Sequence, residues 1–199
     1  GLAAAVGDLY LIMDDDVELI EPSTLSFIVE KFKAETKLGA MQISEFYPNG
    51  KGKFKTTPST ANTTKKPSYN DLWLNTANAE PGAISKWGII GTKLHNLSYG
   101  SDHQVCHLRS SCLSVRSEIF KRLDGFCEDY VFFGRGYRGD TDFSFGVNNI
   151  GYDVVYCCSG PQILHKLSPK TRGWQRGGIA SAKYLLATHR NNMYFFLRN

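Results

Sequence analysis

The sequence lacks the features of several common functional classes. Its five cysteines show no CxxC spacing, so they do not indicate a zinc site, and we expect free thiols, as is usual in a reducing cytosol. No apolar run is long enough to span a bilayer, and no signal peptide is visible. The net charge of +4 comes without the concentrated basic footprint of nucleic-acid-binding proteins. These absences favour a cytoplasmic protein without a nucleic-acid partner, with the cytoplasmic face of a membrane as a second location.

The composition is that of an ordinary globular domain. The chain has 199 residues, of which 42% are hydrophobic and 21% are charged, enough for one sizeable core. No internal repeat is visible, so we predict a single domain over residues 1–199. The first residue is Gly1 rather than Met, and the final residues stop without an obvious helix cap. We therefore expect the chain to be a portion of a longer protein.

Three consecutive aspartates, Asp14, Asp15 and Asp16, are the most informative feature of the chain. They follow the apolar run 9–13, which is typical of a central strand of a parallel sheet, covered on both faces. Ligands of open α/β sheets bind beyond the carboxyl ends of such strands. Because side chains alternate along an extended chain, Asp14 and Asp16 should share one side, where two carboxylates suit Mg²⁺ or Mn²⁺. The alternative is a solvated acidic turn.

The rest of the pattern alternates between strands and helices, which predicts an α/β domain. Residues 47–69 form a long polar stretch, and such loops in compact domains are usually functional or disordered. The aromatic segment 126–138 also reads as a loop, whose rings either stack on a ligand or anchor the loop in the core. Strands are predicted at 38–46, 109–115 and 152–158, and helices at 21–35, 117–123, 140–150 and 179–199.

A second acidic motif, Gly139-Asp140-Thr141-Asp142, opens one of these helices. Taken alone, Asp140 is most simply a helix N-cap. Its functional interpretation is a general base that takes a proton from an acceptor hydroxyl. The positive end of the helix dipole would stabilise the carboxylate as the anion and weaken it as a base. Such a base would therefore need support from a buried site.

Six short motifs follow one another along the chain, and their order is more specific than any one of them. The motifs are Asp14-Asp15-Asp16-Val17 after its apolar strand, Ser111-Cys112-Leu113-Ser114-Val115-Arg116, Leu123-Asp124-Gly125-Phe126, Gly139-Asp140-Thr141-Asp142, Gly151-Tyr152-Asp153-Val154-Val155-Tyr156, and finally His165. This series resembles the family 2 glycosyltransferases of the GT-A fold over nearly the whole chain.

The resemblance implies a fold and a reaction. The fold would be Rossmann-like, with a mainly parallel central sheet flanked by helices and with the N-terminal part of the GT-A domain missing. The reaction would be transfer of a sugar, with inversion, from a nucleotide-diphosphate sugar to a hydroxyl of a saccharide or lipid-linked acceptor, assisted by Mg²⁺ or Mn²⁺. The terminal helix could make a peripheral membrane contact, but packing on the domain explains its apolar face better.

The resemblance also implies roles for individual residues. Asp14, Asp15 and Asp16 match the DxD stretch at which the donor binds. Asp14 would face the ribose, Asp16 would hold the metal on the diphosphate, and Asp15 is expected to point away. Asp140 matches the catalytic base. His165 lies where many relatives have a further metal or diphosphate contact.

Four further residues are expected on the acceptor or substrate side. Asp142 matches an acidic residue that helps to shape the acceptor site, and Arg138 ends the aromatic loop. Lys166 and Arg172 belong to a basic loop that could bind phosphates of the donor or of a lipid-linked acceptor, or could form a solvated surface. The segment 189–192 resembles an Arg-Asn segment in the family's terminal helix.

Departures from the family pattern keep other functions open. The Glu that precedes the catalytic Asp is replaced by Gly139, which is compatible with a degenerate domain that binds sugar nucleotides or glycans without turnover. A sugar nucleotidyltransferase also carries paired carboxylates on a Rossmann-like sheet, but its glycine-rich N-terminal loop would lie in the missing region. A phosphatase of the haloacid dehalogenase type is disfavoured, because Glu18 stands where such enzymes have Thr.

Overall fold

The computed structural model describes residues 5–46, 80–85, 89–91, 93–94, 97, 99–133, 136–166 and 179–199. The predicted loop 47–69 and Arg172 lie outside these residues. The described strands are β1 (Leu9–Met13), β2 (Val17–Leu19), β3 (Leu38–Ile43), β4 (Glu45–Phe46), β5 (His103–Gln104), β6 (Cys112–Arg116), β7 (Asp153–Cys157) and β8 (Ile163–His165). The described α-helices are α1 (Thr24–Ala34), α2 (Ser117–Arg122), α3 (Gly139–Asn149) and α4 (Ile179–Arg198).

The predicted α/β class is confirmed, and the elements lie within a few residues of their expected bounds. One predicted strand, 38–46, is divided at Ser44. There the main-chain N–H donates to the carbonyl of Cys157 at 2.9 Å, and the carbonyl accepts from Ile163 at 3.1 Å. Ser44 thus connects a large sheet to a small one, and the chain passes from β3 in the first to β4 in the second.

The large sheet has the strand order β1-β6-β3-β7-β5. Strands β3 and β7 are parallel, whereas the pairs β1–β6, β3–β6 and β5–β7 are antiparallel. Among the described strands, the sheet therefore differs from the expected mainly parallel arrangement with β1 at its centre. An apolar sequence predicts that a strand is buried on both faces. It does not predict which strands lie beside it or in which direction they run.

Helices cover both faces of the large sheet. Because side chains alternate along a strand, neighbouring residues of β7 enter different hydrophobic clusters. Val154 packs in the cluster that contains Phe143 of α3, whereas Val155 packs in the cluster that contains Ile28 and Phe32 of α1. The result is a three-layered domain with the sheet between helices.

The small sheet has the order β2-β8-β4 and gathers three distant segments. Strand β8 is antiparallel to β2, with His165 opposite Val17, and parallel to β4, with Ile163 opposite Glu45. The main-chain N–H of the next residue, Lys166, donates to the carbonyl of Asp16 at 2.7 Å. This pairing places the third aspartate of the acidic motif beside the end of β8.

The terminal helix α4 packs on the domain along one face. Ala187, Asn191 and Phe195 are buried, and their spacing of four residues is that of a helix with one apolar face inward. Met193 lies on the exposed side. In the part of the chain that the structure describes, no helix has the length and apolar character needed to cross a bilayer.

Gly39 is required by the close approach of β3 to neighbouring elements. A Cβ at this position would lie 2.6 Å from Cβ of Tyr152 and 2.7 Å from Cγ1 of Val147. We predict that Gly39→Ala lowers the free energy of unfolding by about 1–3 kcal/mol, because the core must shift to admit the methyl group. Urea denaturation measures this change.

The matched control for this prediction is Gly146→Ala within α3. Its Cβ would meet Leu123 at an ordinary contact distance of 3.5 Å. The better helix propensity of alanine should then raise the free energy of unfolding by about 0.5–1 kcal/mol. Equal stabilities of the two variants would show that β3 has room at Gly39.

Candidate active site

The three aspartates lie in the turn between β1 and β2. The carbonyl of Asp14 accepts the N–H of Val17 at 3.3 Å, which closes the turn. One ligand atom from each of Asp14, Asp16 and His165, here called the Asp/His group, lies within 4.8 Å of the others. Asp15 is exposed and lies outside this group. The expected pairing of Asp14 with Asp16 is found, but a turn produces it rather than the alternation of an extended strand.

His165 links this group to a carboxylate that the sequence did not reveal. Its Nε2 lies 3.2 Å from Oδ1 of Asp16, and its Nδ1 lies 3.2 Å from Oε2 of Glu45. The pKa of His165 is raised above its ordinary value, mainly by the hydrogen bond to Glu45. Asp16 and Glu45 thus hold the two nitrogen atoms of one imidazole ring.

Glu45 is buried, with 4% of its surface exposed. Its Oε1 accepts hydrogen bonds from Nε2 of Gln42 and from Oγ of Ser111. The guanidinium of Arg109 lies 3.9 Å from its Oε2. A buried carboxylate needs such partners, because an unpaired charge inside a protein is strongly destabilising. The available sequence signal was an acidic residue near the end of the apolar stretch 38–46.

The donor set of the Asp/His group fits a hard divalent cation. Asp14 and Asp16 offer the carboxylate oxygens that Mg²⁺ and Mn²⁺ prefer, and His165 adds a nitrogen ligand. The pKa of Asp14 is raised, first because the surrounding protein displaces water from its carboxyl group, while His165 opposes the rise. A cation at this point would relieve the repulsion among the carboxylates.

Asp140 lies in the first turn of α3 and lines a cavity of about 690 Å³. The N-cap residue is Arg138, whose backbone is left-handed with φ of 79°, and no side chain caps the helix there. The interpretation of Asp140 as the N-cap is therefore wrong. Its Oδ1 accepts the N–H of Thr141 at 2.8 Å. Desolvation raises the pKa of Asp140 above its ordinary value, which strengthens it as a base at a helix N-terminus.

An extended segment beside α3 holds the first turn of this helix. Nδ1 of His107 lies 3.0 Å from Oγ1 of Thr141, and the N–H of Leu108 donates to Oγ of Ser144 at 3.2 Å. The Ser144 hydroxyl donates in turn to the carbonyl of Asp140 at 2.7 Å. Burial keeps the pKa of His107 well below its ordinary value, so the ring is neutral. These bonds support the turn without the acidic neighbour of the family pattern.

The peptide Arg109-Ser110-Ser111 connects the Asp/His group to Asp140. The carbonyl of Ser111 accepts the N–H of Asp14 at 3.1 Å. Ser110 lines the same cavity as Asp140, and its main-chain N–H and the charge of Arg109 both oppose the rise in the pKa of Asp140. Two acidic motifs that are far apart in sequence therefore share one short scaffold.

Asp142 has contacts that differ from those of Asp140. Its Oδ1 accepts hydrogen bonds from the hydroxyl of Tyr130 at 3.0 Å and from Nδ2 of Asn199 at 2.8 Å, and Arg198 lies 3.4 Å away. It lines a second cavity, of about 510 Å³. Residues two apart on a helix face different directions, so the spacing separates these two carboxylates. The acceptor-shaping role of Asp142 stays a prediction.

The terminal helix α4 holds the aromatic loop 126–138 near both of its ends. Nδ2 of the buried Asn191 donates to the carbonyls of Tyr130 at 2.6 Å and Tyr137 at 2.8 Å. Tyr130 is fully buried and anchors the loop, whereas Phe133 is 51% exposed. The Arg-Asn segment suggested by the resemblance thus has an observed structural task.

Arg138, expected on the substrate side, is buried beneath the loop. Its Nε donates to Oδ1 of Asn192 at 2.7 Å, and its guanidinium lies 4.6 Å from the ring centroid of Tyr137. Its positive charge also opposes the rise in the pKa of Asp140. Arg138 therefore influences the Asp140 carboxyl through its charge and contacts the loop through its side chain.

Lys166, the other basic residue expected to bind substrate, lies beside the Asp/His group in sequence but turns outward. Its Nζ forms an ion pair with Glu18 on the exposed face of the small sheet. Arg172 lies outside the described residues. Binding of phosphates by these two side chains stays a prediction.

Comparison with known proteins identifies a similar fold. No protein-family model matches the sequence, and a search of curated proteins finds no match. Among solved structures, the fold is similar to that of the mannosyltransferase PcManGT from Pyrobaculum calidifontis, which was solved in complex with GDP-Man and Mn²⁺. The TM-score is 0.50 at 15% sequence identity, and the match covers 97% of this chain and 41% of that protein. The chain therefore has a glycosyltransferase-like fold and spans less than half the length of this neighbour.

Asn191 is the residue whose loss should release the aromatic loop. Asn191→Ala leaves the carbonyls of Tyr130 and Tyr137 without their donor, and we predict a loss of about 1–3 kcal/mol of stability. Urea denaturation measures the stability, and limited proteolysis measures the exposure of loop 126–138. Met193→Ala on the exposed side of α4 should change stability by less than about 0.5 kcal/mol. Equal resistance of both variants to proteolysis would contradict this role of Asn191.

Proposed function

We propose that this chain is the catalytic portion of a family 2 glycosyltransferase, which transfers a sugar with inversion from a nucleotide-diphosphate sugar to a hydroxyl acceptor. The observation that carries the proposal is the peptide Arg109-Ser110-Ser111, which bonds to the main chain of Asp14 and lines the same cavity as Asp140. The glycosyltransferase-like fold supports it. The complex of the structural neighbour with GDP-Man and Mn²⁺ supports a nucleotide sugar and a divalent cation as the ligands here.

The Asp/His group would bind the donor diphosphate together with Mg²⁺ or Mn²⁺. The cation would act as a Lewis acid on the charge that develops on the leaving diphosphate. Asp16 and His165 would hold it from the end of β8 and the adjacent turn, and Asp14 would face the ribose or complete the ligand set. Lys166 would have to leave its ion pair with Glu18 to reach a phosphate.

Asp140 would accept the proton of the incoming hydroxyl as its oxygen attacks the sugar from the face opposite the diphosphate. Burial favours this role, because a carboxylate with a raised pKa binds a proton more strongly. The ring of Phe126 lines the same cavity, is only partly buried and suits the apolar face of a saccharide. Asp142 would shape the lining of this cavity indirectly, through its hydrogen bond with the hydroxyl of Tyr130.

A binding domain without turnover is the second candidate, and Gly139 favours it. A Cβ at Gly139 would lie 3.8 Å from Cβ of Tyr130, so this position has room for a Cβ, yet no acidic residue stands there. Transfer and hydrolysis of UDP-, GDP- and dTDP-sugars should be measured with Mn²⁺. Donor binding without either product would identify the binding domain, and neither binding nor turnover would contradict both candidates.

Asp140→Asn tests the general base. Asn still offers an oxygen to the N–H of Thr141 but cannot take a proton, so we predict a loss of about 10²–10⁴-fold in the transfer rate with nearly unchanged donor affinity. Steady-state kinetics with donor titration measure both. Because burial raises the pKa of Asp140, the acidic limb of the pH profile of kcat/KM should lie above the ordinary value of 3.8. Wild-type turnover in this variant would exclude Asp140 as the base.

Asp16→Ala tests the cation site. We predict that Mn²⁺ binding weakens by at least the ~10–100-fold that loss of an outer-shell partner typically costs. Electron paramagnetic resonance of free Mn²⁺ measures the affinity. Asp15→Ala is the matched control, because it removes the same charge from the same turn but lies outside the Asp/His group. It should weaken binding far less, and an equal loss in both variants would indicate a non-specific charge effect.

A further inference from the structure

We propose that Glu45 is a positioning residue, which holds His165 in the tautomer protonated at Nδ1 and thereby directs the lone pair of Nε2 toward Asp14 and Asp16. The inference deepens the proposed function and rests on it for the use of that lone pair. The geometry behind it is the hydrogen bond between Nδ1 of His165 and Oε2 of Glu45, at 3.2 Å.

The two oxygens of Glu45 have different partners. Oε1 accepts from the side chains of Gln42 and Ser111, which hold the carboxylate in one orientation. Oε2 is left facing His165, with Arg109 at 3.9 Å. An ionised carboxylate can only accept hydrogen bonds, so Glu45 favours the proton on Nδ1, whereas Asp16 competes for it through Nε2 at the same distance of 3.2 Å. The side chain of Glu45 is 3% exposed and that of Asp16 is 22% exposed, so water weakens the competing hydrogen bond to Asp16 more than the bond to Glu45.

The other ring nitrogen faces a different environment. Nε2 of His165 lies 3.2 Å from Oδ1 of Asp16, in the group that also contains Asp14. In a neutral imidazole only one nitrogen carries a proton, so protonation at Nδ1 leaves Nε2 as a ligand. A carboxylate behind a metal-binding histidine fixes the orientation of the ring and increases its basicity as a ligand.

The backbone makes this arrangement rigid. The parallel pairing of β4 with β8 places Glu45 opposite Ile163, and the antiparallel pairing of β2 with β8 places Val17 opposite His165. With 4% of its surface exposed, Glu45 is shielded from the water that would otherwise compete for Nδ1. The carboxylate therefore acts on the imidazole from a fixed position.

Glu45→Gln tests the inference. Gln keeps an oxygen for the donors of Gln42 and Ser111 and turns its amide N–H₂ toward Nδ1, which must then accept. Nitrogen-15 NMR of the histidines, at a pH where the ring of His165 is neutral, reports the tautomer without any metal or substrate. We expect the Nδ1–H tautomer in the wild type and a shift to Nε2–H in Glu45→Gln. Mn²⁺ affinity should fall about 10–100-fold in the variant.

Ser111→Ala is the matched control, because it removes a donor to the same buried carboxylate but leaves Oε2 and His165 in place. It should retain the Nδ1–H tautomer, which separates positioning from a general loss of packing. An Nε2–H tautomer in the wild type would overturn the inference. Because NMR of the wild type does not need the variant, it tests the inference even if Glu45→Gln fails to fold. An unchanged tautomer in a folded Glu45→Gln would also overturn it.

Different results would contradict the positioning by Glu45 and the proposed metal-assisted reaction. Nδ1–H in the wild type without any Mn²⁺ binding would support the positioning by Glu45 and contradict the metal-assisted reaction. Tight Mn²⁺ binding that is equal in the wild type and in Glu45→Gln would support the reaction and contradict the positioning.

Discussion

A buried carboxylate imposes the constraint on which the rest of this site depends. Glu45 lies below the surface, where an unpaired charge would be strongly destabilising. Its donors come from three segments, with Gln42 on β3, Ser111 beside β6 and His165 at the end of β8. The observed placement of these strands brings all three partners to the carboxylate. The same placement brings His165 to Asp16, so a requirement of burial also assembles the candidate metal ligands.

The two acidic centres are coupled by a second set of contacts. Ser111 supports the turn that carries Asp14, and Ser110 lines the same cavity as Asp140. The proposed transfer would require a donor diphosphate and an acceptor hydroxyl in a fixed geometry, which a scaffold shared by both sites would provide before substrate binds. Asn191 extends this organisation to the aromatic loop, by bonding main-chain carbonyls near both of its ends.

Local patterns predicted the elements and the two acidic motifs, because periodicity and apolar runs depend on neighbours in sequence. They failed where the outcome depends on partners elsewhere in the chain. The direction of the strands beside β1 was one such case, and the N-cap of α3 was another, because Arg138 has a left-handed backbone and occupies that position. The sequence also did not show that Asp140 and Asp142 line two different cavities, and the predicted role of Asp142 in shaping the acceptor site stays a prediction.

The sequence by itself determined the α/β class, the acidic turn after β1 and the presence of Asp140 at the start of a helix. The resemblance implied a metal or diphosphate contact at His165, but only the tertiary structure brought His165 within reach of Asp14 and Asp16 and placed Glu45 behind it. The physical reason is distance along the chain: besides the nearby Gln42, the hydrogen-bond partners of Glu45 are Ser111 and His165, 66 and 120 positions away. A local pattern carries no trace of such partners, whereas a buried charge cannot be accommodated without them.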